Sequence, residues 1–278
     1  MPPVSSSKPE GHLRVESASG RTVGHVDKAA AWLQQVRDFE LERIAEFLPA
    51  AGRVLDFGAG SGHQAVRLQQ RGLDVCAVDL ESSSHLATKE FPVTTYDGSR
   101  LPFPDGHFDA VISSNVLEHV ADLPNAMKEI ARVLRPEGVG LHVMPSSSWR
   151  LWTTLAEFAA APRNVWRALQ SQPQGRWAHL SRSQWVLAWT LRPLAFRPHG
   201  TGGLALGELW GFSRRSWLRV LAACGCTVER VLPLRLCYSG EILFGAQIPM
   251  ERRMRLARWM GSSTVLYVTR YHRARANP

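Results

Sequence analysis

The spacing of apolar residues changes repeatedly between the period of a helix and the unbroken run of a buried strand. Residues 28–48 carry apolar side chains at helical spacing, which predicts an amphipathic helix. The segment RVLDFG (53–58) then predicts a strand, and SGHQAVRLQQRG (61–72) predicts a helix closed by its final glycine. The next apolar run, DVCAVDL (74–80), shows little alternation, as expected of a strand buried on both faces.

Strands and helices continue to alternate up to residue 148, which predicts a parallel α/β sheet with helices on both faces. The further elements predicted in this part are a short helix near 83–91, strands over PVTTYD (92–97) and FDAVISSN (108–115), a helix over LPNAMKEIARVLRPEG (123–138) that stops at Pro136 and Gly138, and a strand over VGLHVMPS (139–146).

After Trp149 the alternation lapses for about sixty residues. It resumes with a helix over SRRSWLRVLAACG (213–225), a strand near TVERVLPLRL (227–236) and a last strand over STVLYVTRY (263–271). This organisation predicts a flexible N-terminal arm (1–25), an α/β core (26–148), a mainly helical insertion after the fifth strand (149–212) and a C-terminal part that completes the sheet (213–278).

Charge divides the chain into two parts of opposite sign. Residues 1–148 hold 14 Lys and Arg against 19 Asp and Glu, whereas residues 149–278 hold 19 against 5. Eight of the ten tryptophans lie between Trp149 and Trp217. A basic half invites a nucleic-acid hypothesis, but no recognisable RNA-binding module precedes or follows the α/β pattern.

The composition also limits where the protein works. No run of 18 apolar residues exists, so no transmembrane helix is expected, and the N-terminal residues have no apolar signal segment. The four cysteines, Cys76, Cys224, Cys226 and Cys237, show no zinc or disulfide spacing, which favours a reducing, cytoplasmic location.

Three glycines at alternate positions, Gly58, Gly60 and Gly62, lie between the first strand and the helix that follows it. Glycines in such a turn let the backbone approach a ligand closely, next to the N-terminus of a helix. Their spacing differs from the GxGxxG of dinucleotide sites. Asp56 lies inside the strand, where a carboxylate favours a cationic group or a free ammonium over a pyrophosphate. Asp79 ends the second strand, and an acid there suits the hydroxyls of a ribose.

The segments VLDFGAGSG, AVDL and YDGSRLPFPDGHFDAVISSNVLEHVADLPNAMKEIARVLRPEG together resemble the class I S-adenosylmethionine-dependent methyltransferases, over about residues 50–147. Within them they resemble the branch that methylates small molecules, lipids and sugars. The resemblance implies a Rossmann-like, doubly wound sheet of seven strands with the last strand antiparallel, and S-adenosyl-L-methionine as the cofactor.

The resemblance also implies which residues hold that cofactor. They are Asp56, Gly58, Ala59, Gly60 and Gly62 at its methionine end, Asp79 at the ribose hydroxyls, Leu80 against the adenine, Asp97 with Gly98 at the adenine amino group, and Asn115 under the methionine portion. For Asn115 an ordinary turn at the end of the fourth strand is the alternative interpretation.

Methyl transfer needs an aligned acceptor and excluded water, and a base only when the acceptor must lose a proton. His119 follows the fourth strand and is the candidate catalytic base; its alternative role is packing. Glu118, His199 and Glu208 are acceptor-side candidates, the last two because they flank a glycine-rich turn late in the insertion. The alternative interpretations are a solvated or helix-entry charge for Glu118 and a structural loop for the turn. No metal site is expected, because the ten histidines are dispersed.

The Arg/Trp-rich insertion is predicted to be a cap over the acceptor, although its tryptophans can also form a small core of their own. The expected reaction is O- or N-methylation of a small-molecule, sugar or lipid-linked acceptor, in bacterial surface-glycan or secondary metabolism. A lipid-linked acceptor would bring peripheral contact with the inner membrane face. The alternatives are an RNA methyltransferase, against which SNVLEH lacks the Asn/Asp-Pro-Pro-aromatic tetrad of base-amino methyltransferases, and a non-catalytic cofactor-binding protein of the same fold.

Overall fold

A computed structural model of the chain describes residues 23–83, 90–173, 178–191, 199–200, 205–239, 244 and 247–271. The elements used below are α1 (Val23–Ile44), a 3-10 helix (Ala45–Phe47), β1 (Arg53–Phe57), α2 (His63–Gln70), β2 (Asp74–Leu80), β3 (Val93–Tyr96), β4 (Phe108–Ser114), a second 3-10 helix (Leu117–His119), α3 (Leu123–Val133), β5 (Leu134–Pro145), α4 (Ser147–Gln170), α5 (Arg182–Leu191), α6 (Ala205–Gly211), α7 (Arg214–Ala223), β6 (Cys226–Pro233), α8 (Met250–Met260) and β7 (Thr264–Tyr271).

The seven strands form one sheet in the order β3-β2-β1-β4-β5-β7-β6. Strands β1 to β5 pair in parallel, and β7 runs antiparallel to both β5 and β6. This arrangement confirms the predicted Rossmann-like sheet with an antiparallel last strand. The chain order reverses between β1 and β4, and a crevice for a ligand opens outside the carboxyl ends of parallel strands at such a point.

Helices cover both faces of the sheet, as the unbroken apolar runs of its strands predict. In β1, Val54 packs with residues of α1 and α2, whereas the neighbouring Leu55 packs with residues of α3 and α7. Successive side chains of a strand point to opposite faces, so each residue of β1 must be apolar to be buried at low cost. Asp56 breaks that rule, since it lies in the same strand and is only 2% exposed.

Two predicted boundaries were wrong. The helix predicted to continue to residue 138 ends at Val133, and Leu134 already has the extended dihedrals of β5. Pro136 prevents the helix from reaching residue 138, since a proline disfavours the helical conformation of the residue before it, Arg135. At the other end of the chain, residues 23–25 of the predicted arm belong to α1. Residues 1–22 of the arm and most of the predicted helix near 83–91 lie outside the described residues.

Helix α8 was not predicted, because its sequence is dominated by arginine. One of these arginines, Arg253, is nevertheless 1% exposed, and its guanidinium lies 4.5 Å from the ring centroid of Trp32 on α1. Its Nε donates to the carbonyl of Ile248 at 3.1 Å. In a pattern of apolar and polar residues, an arginine is interpreted as solvent-exposed. Arg253 is instead buried and holds α8 against α1.

The insertion after β5 is helical, as predicted. Helix α4 begins at Ser146, whose hydroxyl accepts from the backbone N–H of Trp149, and α5 and α6 follow before α7 returns to the sheet. Within the described part of the chain, every helix is too short or too polar to cross a lipid bilayer.

Met127 on α3 tests the packing of the sheet, because its side chain is fully buried in the cluster beneath that helix. Met127→Ala is expected to lower the free energy of unfolding by about 2–5 kcal/mol, because it leaves a cavity as well as losing apolar burial. The exposed neighbour gives the matched control, and Lys128→Ala should change stability by less than about 0.5 kcal/mol. Urea unfolding followed by circular dichroism measures both values, and equal stabilities would contradict the described position of α3.

Candidate functional site

The glycine turn between β1 and α2 has backbone conformations that few other residues adopt. Gly58, Gly60 and Gly62 have φ angles of 76°, 58° and 85°. Space is also restricted, since a Cβ on Gly58 would lie 2.5 Å from a methyl of Val116 and one on Gly62 would lie 2.5 Å from the Cβ of Phe91. The turn therefore favours glycine at all three positions by its backbone conformation, and at Gly58 and Gly62 also by the lack of space.

The turn is fastened to the neighbouring strand. The backbone N–H groups of Gly58 and Ala59 donate to the carbonyl of Val78, at 2.8 and 3.0 Å. The N–H of Gly60 donates to one oxygen of the Asp79 carboxylate at 2.6 Å, and the N–H of Leu80 donates to the other at 2.7 Å. Asp79 therefore lies beside the glycines, with its orientation fixed by two backbone donors.

Asp56 lies directly under the turn and is buried. Among the described residues its Oδ2 has no hydrogen-bond partner, while the backbone N–H of Ala65 donates to the carboxyl group. Burial, and next the charge of Asp79, raise the pKa of Asp56 to about 7. A buried carboxyl group with one unpaired oxygen can be matched by a cationic ligand group.

Leu80, Asp97 and Gly98 lie together at the ends of β2 and β3. Leu80 is 41% exposed, and a Cβ on Gly98 would lie 3.1 Å from one of its methyl groups. The Asp97 carboxylate accepts from the backbone N–H and the hydroxyl of Ser99, at 2.8 and 2.7 Å, and these bonds lower its pKa. An exposed apolar side chain beside a fixed carboxylate is an arrangement that can receive a flat heterocycle.

Asn115 ends β4 with a φ of 55°, so it is a strained position as well as a turn. Its N–H donates to the carbonyl of Val143 at 2.8 Å, and its Oδ1 lies 3.5 Å from the hydroxyl of Tyr238. The preceding Ser114 donates to Glu40 at 3.2 Å. The end of β4 is thus bonded to residues far away in the sequence.

Helix α1 contributes two charged residues that the sequence did not identify. Arg37 donates to Glu40 at 2.5 Å and to Ser114 at 3.3 Å, and Glu40 also accepts from Thr264 of β7 at 2.8 Å. Glu40 is fully buried, although the apolar pattern of α1 shows it only as a polar interruption. The ion pair three residues apart is the one sequence signal that could have suggested it.

The candidate base His119 and two acceptor-side candidates, Glu118 and His199, meet beyond the end of β4. The Nε2 atoms of His119 and His199 lie 3.8 and 3.9 Å from Oε1 of Glu118, and the two imidazole centroids are 4.7 Å apart. The contact is close in the backbone too, because a Cβ on Gly200 would lie 2.4 Å from the carbonyl oxygen of Glu118. Residues about 80 positions apart in the sequence therefore form one cluster.

Glu208, the fourth candidate, holds this cluster in place from α6. Its Oε1 accepts from the backbone N–H groups of His199 and Gly200, at 2.5 and 2.8 Å, and its Oε2 lies 3.3 Å from Nε of Arg150 on α4. Both charged side chains of this ion pair are buried. The indole of Trp149, with its centroid 4.6 Å from that of His199, covers the imidazole from the other side.

Burial controls the charge of the cluster. It raises the pKa of Glu118 to about 7, with the guanidinium of Arg37 acting in the opposite direction. It lowers the pKa of His199 to about 4 and also lowers that of His119. Both imidazoles are therefore neutral at pH 7, with a ring nitrogen free of a proton.

A seven-stranded sheet of this order, with an acid-flanked glycine turn at its switch point, defines a nucleoside-binding α/β protein of the methyltransferase type. The chain matches the family described as "Methyltransferase domain" over residues 29–231. It belongs to that family, which is a class I S-adenosylmethionine-dependent methyltransferase family with S-adenosylmethionine as its cofactor.

Individual relatives cover less of the chain. A demethylmenaquinone methyltransferase of Mycolicibacterium paratuberculosis is 34% identical over 49% of this chain and 60% of its own length. The 27-O-demethylrifamycin SV methyltransferase of Amycolatopsis mediterranei is 32% identical over 41% of this chain and 47% of its own. The chain thus spans about half the length of these curated relatives.

The fold is shared with solved structures of much lower sequence identity. A S-adenosylmethionine-dependent methyltransferase of Thermotoga maritima, described as a possible histamine N-methyltransferase, superposes with a TM-score of 0.52 and 14% identity. The match covers 91% of this chain and 97% of that structure. It extends the likeness in fold beyond the segment that the curated relatives match.

The raised pKa of Asp56 predicts a cost in stability that depends on pH. The unfolded carboxyl ionises near pH 4 and the folded one near 7, so the folded state holds the extra proton between them and stability falls as pH rises through this range. Asp79 destabilises the Asp56 carboxylate, whereas Arg37 and His63 favour it. In the protein without cofactor, Asp56→Asn should therefore increase the free energy of unfolding by about 1–3 kcal/mol at pH 8 and have no such effect at pH 4.

Chemical unfolding at both pH values measures this difference. The matched control is Glu137→Gln, because Glu137 is an exposed acid of the same sheet, and its effect should stay below about 0.5 kcal/mol at pH 8. A wild type that is as stable as Asp56→Asn at pH 8 would show that the Asp56 carboxylate is not desolvated.

Proposed function

We propose that the protein transfers the methyl group of S-adenosylmethionine to an oxygen or nitrogen atom of a small-molecule acceptor. The observation that carries the proposal is the position of two polar clusters at one edge of the sheet. The glycine turn with Asp56 and Asp79 lies at the ends of β1 and β2, and the cluster around Glu118 lies beyond the end of β4. Arg37 links them, since its charge affects the pKa of both Asp56 and Glu118.

The cofactor fits the first cluster by its charges and its hydroxyls. Its ammonium group would match the unpaired oxygen of buried Asp56, and the glycine turn would receive its methionine portion. Asp79 would accept from the ribose hydroxyls, Leu80 would contact the adenine, and Asp97 would accept from the adenine amino group. Each carboxylate can accept further bonds beside those it already makes, because it offers about four lone-pair sites.

The second cluster supplies the acceptor side. A bound S-adenosylmethionine presents a methyl group on a sulfonium, so this chain has only to hold the acceptor atom in line and exclude water. His119 is 45% exposed in its side chain, and it can therefore reach an acceptor that enters from solvent. Helices α4 and α6 close over this point through Trp149 and Glu208, which supports the assignment of residues 149–212 as a cap.

The named relatives support a small and largely apolar acceptor. One acts on 27-O-demethylrifamycin SV and another on demethylmenaquinone, and neither name indicates a nucleic acid. We extend this class of acceptor to the present chain. We also assign the protein to the cytoplasm, where its four free cysteines would remain reduced.

Asp79→Ala tests the proposed cofactor site. It removes a carboxylate that would bond both ribose hydroxyls, and hydrogen bonds to charged groups contribute about 1.5–3 kcal/mol each. The affinity for S-adenosylhomocysteine in isothermal titration calorimetry should fall at least tenfold, which corresponds to about 1.4 kcal/mol. Asp74→Ala, at the opposite end of the same strand, should bind like the wild type.

Turnover separates the enzyme from a non-catalytic binder of the same fold. The wild type should release S-adenosylhomocysteine when supplied with demethylmenaquinone or 27-O-demethylrifamycin SV, the compounds that the relatives' names give. A wild type that binds no cofactor would refute the whole proposal. Binding without turnover on any of these acceptors would instead favour the non-catalytic alternative.

The outer face of α4 bears on the nature of the acceptor. Large apolar residues are exposed there at successive separations of 4, 3, 8 and 3 positions, which place them on one side of the helix, and they are Leu151, Leu155, Phe158, Trp166 and Leu169. The opposite face is buried through Ala156, Ala160 and Ala168. Exposed Arg167 and Arg182 lie on α4 and on the adjoining α5. Apolar side chains with nearby arginines suit the interface of an anionic membrane, so we propose peripheral membrane contact and an amphipathic or lipid-linked acceptor.

Vesicle sedimentation tests this contact. The protein should bind vesicles that contain phosphatidylglycerol, bind less as salt rises, and not bind phosphatidylcholine alone, because each arginine near the surface contributes about 1 kcal/mol. Leu155→Glu should weaken binding at least tenfold. Leu33→Glu changes an exposed leucine of α1, a helix outside the insertion, and should bind normally. Turnover without vesicle binding would indicate a water-soluble acceptor.

A further inference from the structure

Glu118, His119 and His199 bring three potential metal ligands to one point. One ring nitrogen of each histidine and a carboxylate oxygen of Glu118 all lie within 4.8 Å of one another. The sequence predicted no metal site, because its histidines are dispersed, and that expectation remains untested. We infer that these three residues form a divalent-metal site on the acceptor side of the cleft.

The distances are close to those of a filled site. Ligand atoms about 2.0–2.2 Å from a metal ion lie about 3.0–3.5 Å from one another. Glu118 Oε1 is 3.8 Å from one histidine nitrogen and 3.9 Å from the other, so each must move by less than about 1 Å. Both imidazoles keep enough exposure for such a rotation, with 45% and 38% of their side chains accessible.

The charge of the surroundings favours a cation. Three acids, Glu40, Glu118 and Glu208, are buried at this edge, against the two arginines Arg37 and Arg150 that lie beside them. A divalent ion beside Glu118 would add positive charge next to these buried acids, which electrostatic attraction favours.

The geometry of the cluster is held by groups outside it. Glu208 fixes the backbone of His199 with two hydrogen bonds, and Trp149 packs against the imidazole. His119 and Glu118 share a 3-10 helix at the end of β4.

Two imidazoles and one carboxylate suit Zn²⁺, Co²⁺, Fe²⁺ or Mn²⁺ rather than Ca²⁺ or Mg²⁺, which prefer oxygen ligands. Three protein ligands leave coordination positions open. Those positions would take oxygen atoms of the acceptor, such as neighbouring hydroxyl or carbonyl groups. This second statement rests on the proposed function, whereas the metal site itself does not.

Titration with Zn²⁺ and Co²⁺ tests the site on tag-free protein. Calorimetry should give one equivalent of tightly bound Zn²⁺, and Co²⁺ should give visible absorption bands of a site with nitrogen ligands. His119→Ala, His199→Ala and Glu118→Gln should each weaken Zn²⁺ binding at least tenfold and alter the bands. His179→Ala removes an exposed histidine elsewhere in the insertion and should change neither.

Absence of saturable binding would overturn the inference, as would binding of equal strength in wild type and all three variants. If Glu118→Gln does not fold, His119→Ala still tests the metal site. The side chain of His119 is partly exposed, so its removal disturbs the fold less. Calorimetry with S-adenosylhomocysteine is run on the same samples, with and without EDTA. Intact cofactor binding with no metal binding refutes only this inference, whereas loss of both refutes the proposed function.

Discussion

The hydrogen bond between the N–H of Gly60 and the carboxylate of Asp79 joins the two halves of the proposed cofactor site. It ties the glycine turn after β1 to the end of β2 at 2.6 Å, while Leu80 bonds the second oxygen of the same carboxylate. A turn made of glycines loses much conformational entropy when it becomes ordered. A charge-assisted bond is roughly twice as strong as a neutral one, which helps to offset that cost.

Buried charge is the second constraint. The buried carboxyl groups of Glu208 and Asp56 differ in how far neighbouring groups compensate their charge. Glu208 is matched by Arg150 and by two backbone donors, so it acts as a structural link between α4, α6 and the residues that cover Glu118. Asp56 has no comparable match and keeps a raised pKa. Unmatched buried charge destabilises a protein without its ligand, and a ligand of opposite charge gains from relieving it. This contrast is the reason why Asp56, and not Glu208, is assigned to the proposed cofactor site.

The insertion is positioned by its contacts with the sheet, and it covers the edge of the sheet near Glu118. Gly200 approaches the carbonyl of Glu118 so closely that no other residue fits without movement. Trp149 contacts His199 on one side and Phe212 on the other. The insertion is therefore packed against the core, because its polar and aromatic groups contact the core at the ends of the parallel strands.

The sequence by itself determined the sheet, the glycine turn and the acids that flank it, because these depend on local periodicity and on residues at fixed short spacings. It also marked Glu118, His119, His199 and Glu208 individually. Only the tertiary structure decided that these four form one cluster, since no local pattern encodes a contact across about 80 residues of intervening chain. The same holds for Glu40 and Arg253, whose burial is decided by partners on distant strands and helices. A polar residue in an apolar pattern is read as exposed until the fold supplies the group that pairs with it.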